Sequence, residues 1–185
     1  MQTLNQVSVT KRSRRTASIL QIETDLVRRF EEFLGTWVST VGSCIDSALE
    51  MRRISEFADT FVEDFHFRRV EAALMLCQRS GDRRLGIWAA KFAEHHVKLR
   101  ERMAGMGRAA KSSDTGAPTA FRWAATSLVK VLRRYLEWAD SVLLPELRLT
   151  VSDALDQVIA NALRLDEAKE VSHYAQAESL LMGLK

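Results

Sequence analysis

The chain has 185 residues, 46% of them apolar and 28% charged, with a formal charge of +3. That composition suits one globular domain able to bury a core without disulfide or metal staples, and it argues against a largely disordered chain. No apolar run approaches the roughly 20 residues that a membrane-spanning helix needs. Two prolines and eight glycines leave long stretches free of breakers, and alternating runs of β-branched residues are missing, so helix is expected almost throughout.

Residues 1–22 contain no acid and carry Lys11, Arg12, Arg14 and Arg15, which account for the whole positive excess and leave the rest of the chain close to neutral. Residues 1–16 therefore read as a disordered basic tail, and no nucleic-acid binding is expected of the folded body. Ser18 or Thr16 can cap a first helix, whose apolar stripe is Ile19, Ile22, Leu26, Phe30, Phe33, Trp37 and Val41. Gly35 and Gly42 weaken it, and Val41 to Cys44 reads as a turn. A second helix carries Ile54, Phe57, Phe61, Phe65, Ala73, Leu74 and Cys77. It stops at Gly81, and Asp82 can cap the third helix.

Leu85, Trp88, Ala89, Phe92, Leu99, Met103 and Met106 share one face of that third helix. The stretch from Lys111 to Ala117 is the clearest linker, and Pro118 sits where a first helical turn tolerates it. The fourth helix shows Phe121, Ala124, Leu128, Val131, Leu132, Ala139, Val142 and Leu143, and Pro145 is expected to bend or end it. Thr150 with Asp153 reads as a capping box for a shorter fifth helix through Leu155, Val158, Ile159, Ala162 and Leu165. The expected fold is all-α: an up-and-down antiparallel four-helix bundle over residues 17–170 with an additional C-terminal helix. Residues 171–185 are expected to be a helical or disordered tail.

Cys44 and Cys77 stand apart with no CxxC, as small buried side chains of a protein in a reducing cytoplasm would. No nucleophile elbow, phosphate loop or dinucleotide fingerprint recommends an enzyme. The informative residues are the polar ones on apolar stripes. Glu23 lies among Ile19, Leu26 and Phe30; His96 falls between Phe92 and Leu99 with His95 at the edge; Tyr135 is flanked by Leu128, Leu132 and Ala139; His66 is near the boundary of the second helix. Bundles build metal and ligand sites from facing helices in this way. The alternative is a hydrogen-bonded core network in which Glu23 pairs with one of the others.

The run Phe57-x3-Phe61-x3-Phe65-His66-Phe67-Arg68-Arg69-Val70-Glu71, the segment Ala93-Glu94-His95-His96, and the stretch from Tyr135 to Pro145-Glu146 succeed one another in an order that resembles the hemerythrin-like family, with Glu23-Thr24 where that family's first His is expected. The resemblance spans roughly residues 18–165 and implies a bundle holding iron through His and carboxylate ligands. The sequence departs from that pattern. Glu23 or Thr24 replaces the first His, Tyr135 stands where a His is expected, and Val70 occupies the place of a carboxylate; Glu71 and Asp140 point elsewhere. The set the resemblance leaves is Glu23, His66, His95 or His96, and Tyr135, competent for a reduced iron or zinc site. The function expected is non-enzymatic metal or small-ligand binding and sensing. The alternative is a metal-free regulatory module that binds a protein partner, to which the arginine pairs 52–53, 68–69, 83–84 and 133–134 could contribute.

Overall fold

The computed structural model describes residues 15–40, 48–81, 83–164 and 167–183. The basic tail through residue 14, the turn with Gly42 and Cys44, the Asp82 cap and Leu165 lie outside the described residues. Among the described residues the secondary structure is entirely helical, in six continuous helices. They are α1 (Arg15–Thr40), α2 (48–79), α3 (Arg83–Lys111), α4 (117–150), α5 (Asp153–Leu163) and α6 (Glu167–Gly183). No helix among them is long and apolar enough to cross a membrane.

The four long helices enclose one core. α4 packs along α1 and α3, α3 packs along α2, α5 crosses α1 and the second half of α2, and α6 lies on α1 and the first half of α2. The Phe30 and Phe57 rings stack at 4.5 Å, and Trp37 meets Phe121 edge-on at 5.6 Å. Gly81 ends α2 at φ +82°, the left-handed conformation that glycine adopts without a Cβ clash. Pro118 sits in the first turn of α4, as its position in the sequence suggests.

Four local expectations are corrected. On α1 the buried stripe is centred on Leu20, Val27, Phe30 and Leu34, while Ile22 is largely exposed, because α1 faces α4 on one side and α5 and α6 on another. Val158 on α5 is likewise exposed. The cap of α1 is neither Ser18 nor Thr16 but Asp156, brought from α5. Its carboxylate accepts from the backbone N–H groups of Arg15 (3.0 Å) and Thr16 (3.1 Å), and the Thr16 hydroxyl donates to its carbonyl. The cap of α5 is Ser152, accepting from the Leu155 N–H, while Thr150 turns back to Glu146. Replacing Asp156 by Ala leaves one buried and one part-buried helix-end donor without their acceptor, and should lower stability by about 1–2 kcal/mol in urea unfolding. A loss below about 0.3 kcal/mol would mean the contact is incidental.

Two stretches widen from α to π winding, with hydrogen bonds reaching one residue further along the chain: Ala58–Phe67 inside α2 and Ala139–Leu143 inside α4. The first carries Phe61 and Phe65, which continue the four-residue spacing from Phe57 with successive rings 5.4 and 5.5 Å apart. Its effect is to bury Phe65, His66 and Phe67 in succession. The second precedes Pro145. Pro145 has no N–H and crowds the carbonyl four residues back, so the widened turn lets α4 continue to Thr150 instead of ending there.

Candidate functional site

Three of the five inward polar residues meet in the core. His66, at the end of the α2 π segment, has its Nδ1 3.1 Å from Glu23 Oε2 of α1 and its Nε2 2.7 Å from the Tyr135 hydroxyl of α4. All three side chains are fully buried. Burial, with the charges of Glu23 and Asp140 adding to it, pushes the Tyr135 phenol well above its ordinary pKa, so it keeps its proton and donates it to Nε2. Both ring nitrogens of His66 thus have a hydrogen-bonding partner, and every polar atom of the ring is satisfied.

Glu23 Oε1 faces two further groups. Arg69 Nε, one turn beyond His66 on α2, lies 2.8 Å away as an ion pair, and the Tyr174 hydroxyl of α6 donates from 3.3 Å. A carboxylate buried without a counter-charge would cost several kcal/mol, and Arg69 supplies that charge while its guanidinium also lies over the Phe65 ring at 4.7 Å. Asp140 points outward and pairs with Arg28 at 2.7 Å.

His96 belongs to a second, smaller cluster. Its Nε2 lies 3.0–3.1 Å from both carboxylate oxygens of Glu63, itself on the π segment, and Arg100 Nε is 3.0 Å from Glu63 Oε1. Phe67 separates the two clusters, with its ring 5.4 Å from His66, 5.0 Å from Tyr135 and 5.2 Å from His96. His95 joins neither: it stacks on Trp138 at 5.4 Å, and its buried Nε2 has no hydrogen-bond partner among the described residues.

Burial lowers the His95 pKa below its ordinary 6.5, with Lys91 and Lys98 adding to the effect and Glu94 opposing it. The unfolded chain therefore takes up this proton first. The stability His95 contributes is present above pH 6.5 and is lost as the pH falls through the lowered value. Denaturation midpoints measured at pH 7.5 and 5.5 should fall further in the native sequence than in a His95→Phe variant, which cannot titrate. Equal falls would remove His95 as the source.

The arrangement does not fit the iron or zinc site that the resemblance implies. Ligands of one ion at about 2.0–2.2 Å must converge on one side of an imidazole, whereas Glu23 and Tyr135 occupy opposite ring nitrogens of His66. The Arg69 guanidinium stands on Glu23 where a cation would have to sit. Among the described residues no group of three or more His, Cys, Asp or Glu side chains is placed to hold a metal ion. What the network can do is fix the register of α1, α2 and α4 at one level, with α6 closed over it. None of its three members offers an exposed atom to a substrate.

Sequence reasoning missed Arg69, Glu63, Arg100 and Tyr174. Arg69 is legible in principle, since a residue three after His66 shares its helix face, but beside Arg68 it reads as half of an exposed pair. Nothing local marks Tyr174, because its role depends on where α6 packs. The His173 ring of the same helix stacks on Phe65 at 4.7 Å, and Glu178 pairs with Arg29. The C-terminal segment thus forms part of the wall of the core.

Fold and site together define an all-helical bundle whose centre is a closed Glu–His–Tyr network compensated by one arginine. Comparison of the chain with protein-family models, with curated proteins and with solved structures finds no match.

Proposed function

We propose that the chain is a hemerythrin-like bundle, four long up-and-down helices with C-terminal additions, in which the metal centre has given way to a structural hydrogen-bond network, and that it works as a metal-free regulatory module binding a protein partner. The observation that carries this reading is the engagement of both His66 ring nitrogens by side chains of the chain itself, beside an arginine that neutralises Glu23. The resemblance supports the ancestry: Glu23, His66 and Tyr135 come from three helices and meet at one level, as bundle-core ligands do. With the Glu23–His66–Tyr135 network engaged internally, function falls to the surface, where Trp123, Leu149 and Ile87 are exposed.

Metal analysis of protein expressed in iron- and zinc-replete medium is the test. The expected content is below about 0.1 metal per chain, and a chelator should leave the melting temperature unchanged, because a bound metal would add its binding energy to folding. Near-stoichiometric iron or zinc would overturn the reading. A stoichiometric protein co-purifying from cell extract is the positive counterpart.

A further inference from the structure

The C-terminal helix α6 is seated on the body by one face. Tyr174, Ala177, Glu178 and Leu181 stand at positions i, i+3, i+4 and i+7, the spacing by which a helix lays a single face into a groove. Ala177 and Leu181 are buried. The Tyr174 ring meets Phe65 edge-on at 5.5 Å and lies 6.4 Å from Phe61, and Glu178 pairs with Arg29 of α1. The groove beneath is made by α1 and the first half of α2, with Leu26, Phe61 and Phe65 as apolar floor.

The hold on α6 is thin. Among its described side chains only Ala177 and Leu181 are buried, whereas the shorter α5 buries Asp156, Ile159, Ala160 and Leu163. The Arg29–Glu178 pair is half-exposed, where an ion pair contributes little. The Arg53 guanidinium reaches the Gly183 carbonyl, and the Tyr174 hydroxyl reaches Glu23, only at 3.3 Å. A cleft of about 270 Å³ runs along the seam, between Ile22, Leu26 and Arg29 of α1 and Tyr174 and Glu178 of α6. Segments held by so few buried contacts lie at the low end of local stability. Lifting α6 strands no buried charge, because Glu23 keeps Arg69 at 2.8 Å and His66 at 3.1 Å. It does uncover the Phe61 and Phe65 rings, an apolar floor that another helix could cover in its place.

Resting on the interaction-module role, we propose that α6 is a strap filling a helix-docking groove of α1 and α2, and that it gives way to a partner helix carrying the same four anchors: an aromatic, a small residue, an acid and a leucine at i, i+3, i+4 and i+7. The chemistry of that occupant is read from α6 itself. Arg29 calls for the acid, the Phe61 and Phe65 rings for the aromatic, and the full burial of Ala177 for a small side chain. Strap and partner exclude each other, so the partner's apparent affinity is scaled by the fraction of chains whose α6 is lifted.

The probe is a fluorescent peptide of residues 167–183 mixed with the full chain. In the native chain α6 holds the groove, and the peptide should bind weakly. Ala177→Arg in the chain sets a long charged side chain against the body, lifts α6 without altering the groove, and should tighten peptide binding by about tenfold or more. A control peptide carrying Tyr174→Ala and Leu181→Ser should bind neither chain. Should Ala177→Arg disturb the other helices by circular dichroism, Glu178→Arg, which sets like charges together at a half-exposed position, is the substitute and should tighten binding by about threefold. Native-state hydrogen exchange gives an independent reading: amides of residues 175–181 should exchange at least about tenfold faster than those in the middle of α4. Equal protection of α6 and α4, or peptide affinity that neither variant raises, overturns the proposal. So does a concentration-dependent dimer of the native chain in sedimentation that Ala177→Arg abolishes, since the groove then belongs to a second copy. A protein that co-purifies while the peptide never binds would leave the interaction role standing and remove this groove, whereas stoichiometric metal would remove the role itself.

Discussion

Replacing His66 by Ala is expected to destabilise the protein by about 3–5 kcal/mol in urea unfolding at pH 7. The imidazole is fully buried, and its loss strands the Tyr135 hydroxyl and one oxygen of Glu23 while opening a cavity between α1, α2 and α4. Part of this cost belongs to the partners left behind, so a second substitution separates the contributions. In a His66→Ala, Tyr135→Phe double variant the two losses should fall short of adding by about 0.5–3 kcal/mol, because the second removes a donor the first has already orphaned. Replacing Glu23 by Leu, His66 by Leu, Arg69 by Met and Tyr135 by Phe together should recover much of the loss, as apolar replacements of buried charged groups often do. A His66→Ala loss below about 1 kcal/mol would refute a buried, fully engaged histidine. The quadruple variant also bears on function: if the network serves only register, partner binding should survive its removal.

Phe67→Ala should cost a similar amount, about 3–5 kcal/mol, by a different mechanism. Phe67 is fully buried and touches His66 and Tyr135 on one side and His96 and Phe92 on the other. Truncating it leaves a void between the two polar clusters instead of an unpaired donor. The damage should therefore appear in both: proton resonances of His66 and of His96 should shift in the folded variant, whereas a local defect would move one of them. Loss of less than about 1.5 kcal/mol would show that the surrounding rings collapse into the space, and that Phe67 does not separate the clusters rigidly.

These two residues also mark where local reasoning succeeds and where it stops. The stop at Gly81, the linker after Lys111 and the start beside Pro118 follow from turn chemistry that acts over a few residues, and the structure has them within one residue of where the sequence puts them, with Lys111 and Ala117 already helical. Glu23, Tyr135 and His96 face inward because helical periodicity is set by backbone geometry, and each lies on a stripe of apolar neighbours. His66 reads from the same periodicity as a boundary residue and Phe67 is not marked as core at all, since an α-helix cannot turn Phe65, His66 and Phe67 to one side. The π winding does so, and its longer hydrogen bonds are favoured only when packing against α1, α3 and α6 rewards the extra buried side chains. Whether the inward set suits a metal or a closed network is likewise undecidable locally, because it turns on which ring nitrogen meets which partner.

Local sequence thus dictates an all-helical chain, most of its stops and starts, and the inward placement of Glu23, Tyr135 and His96. Long-range packing dictates the rest: Glu23 and Tyr135 take opposite nitrogens of His66, Arg69 turns inward, Asp156 caps a helix 140 residues away and Tyr174 closes over the carboxylate. The division has a physical cause. Periodicity and turn signals are written within one or two helical turns, whereas the partner of a buried charge is chosen by desolvation, which penalises it until some other segment of the chain supplies a counter-charge or a hydrogen bond.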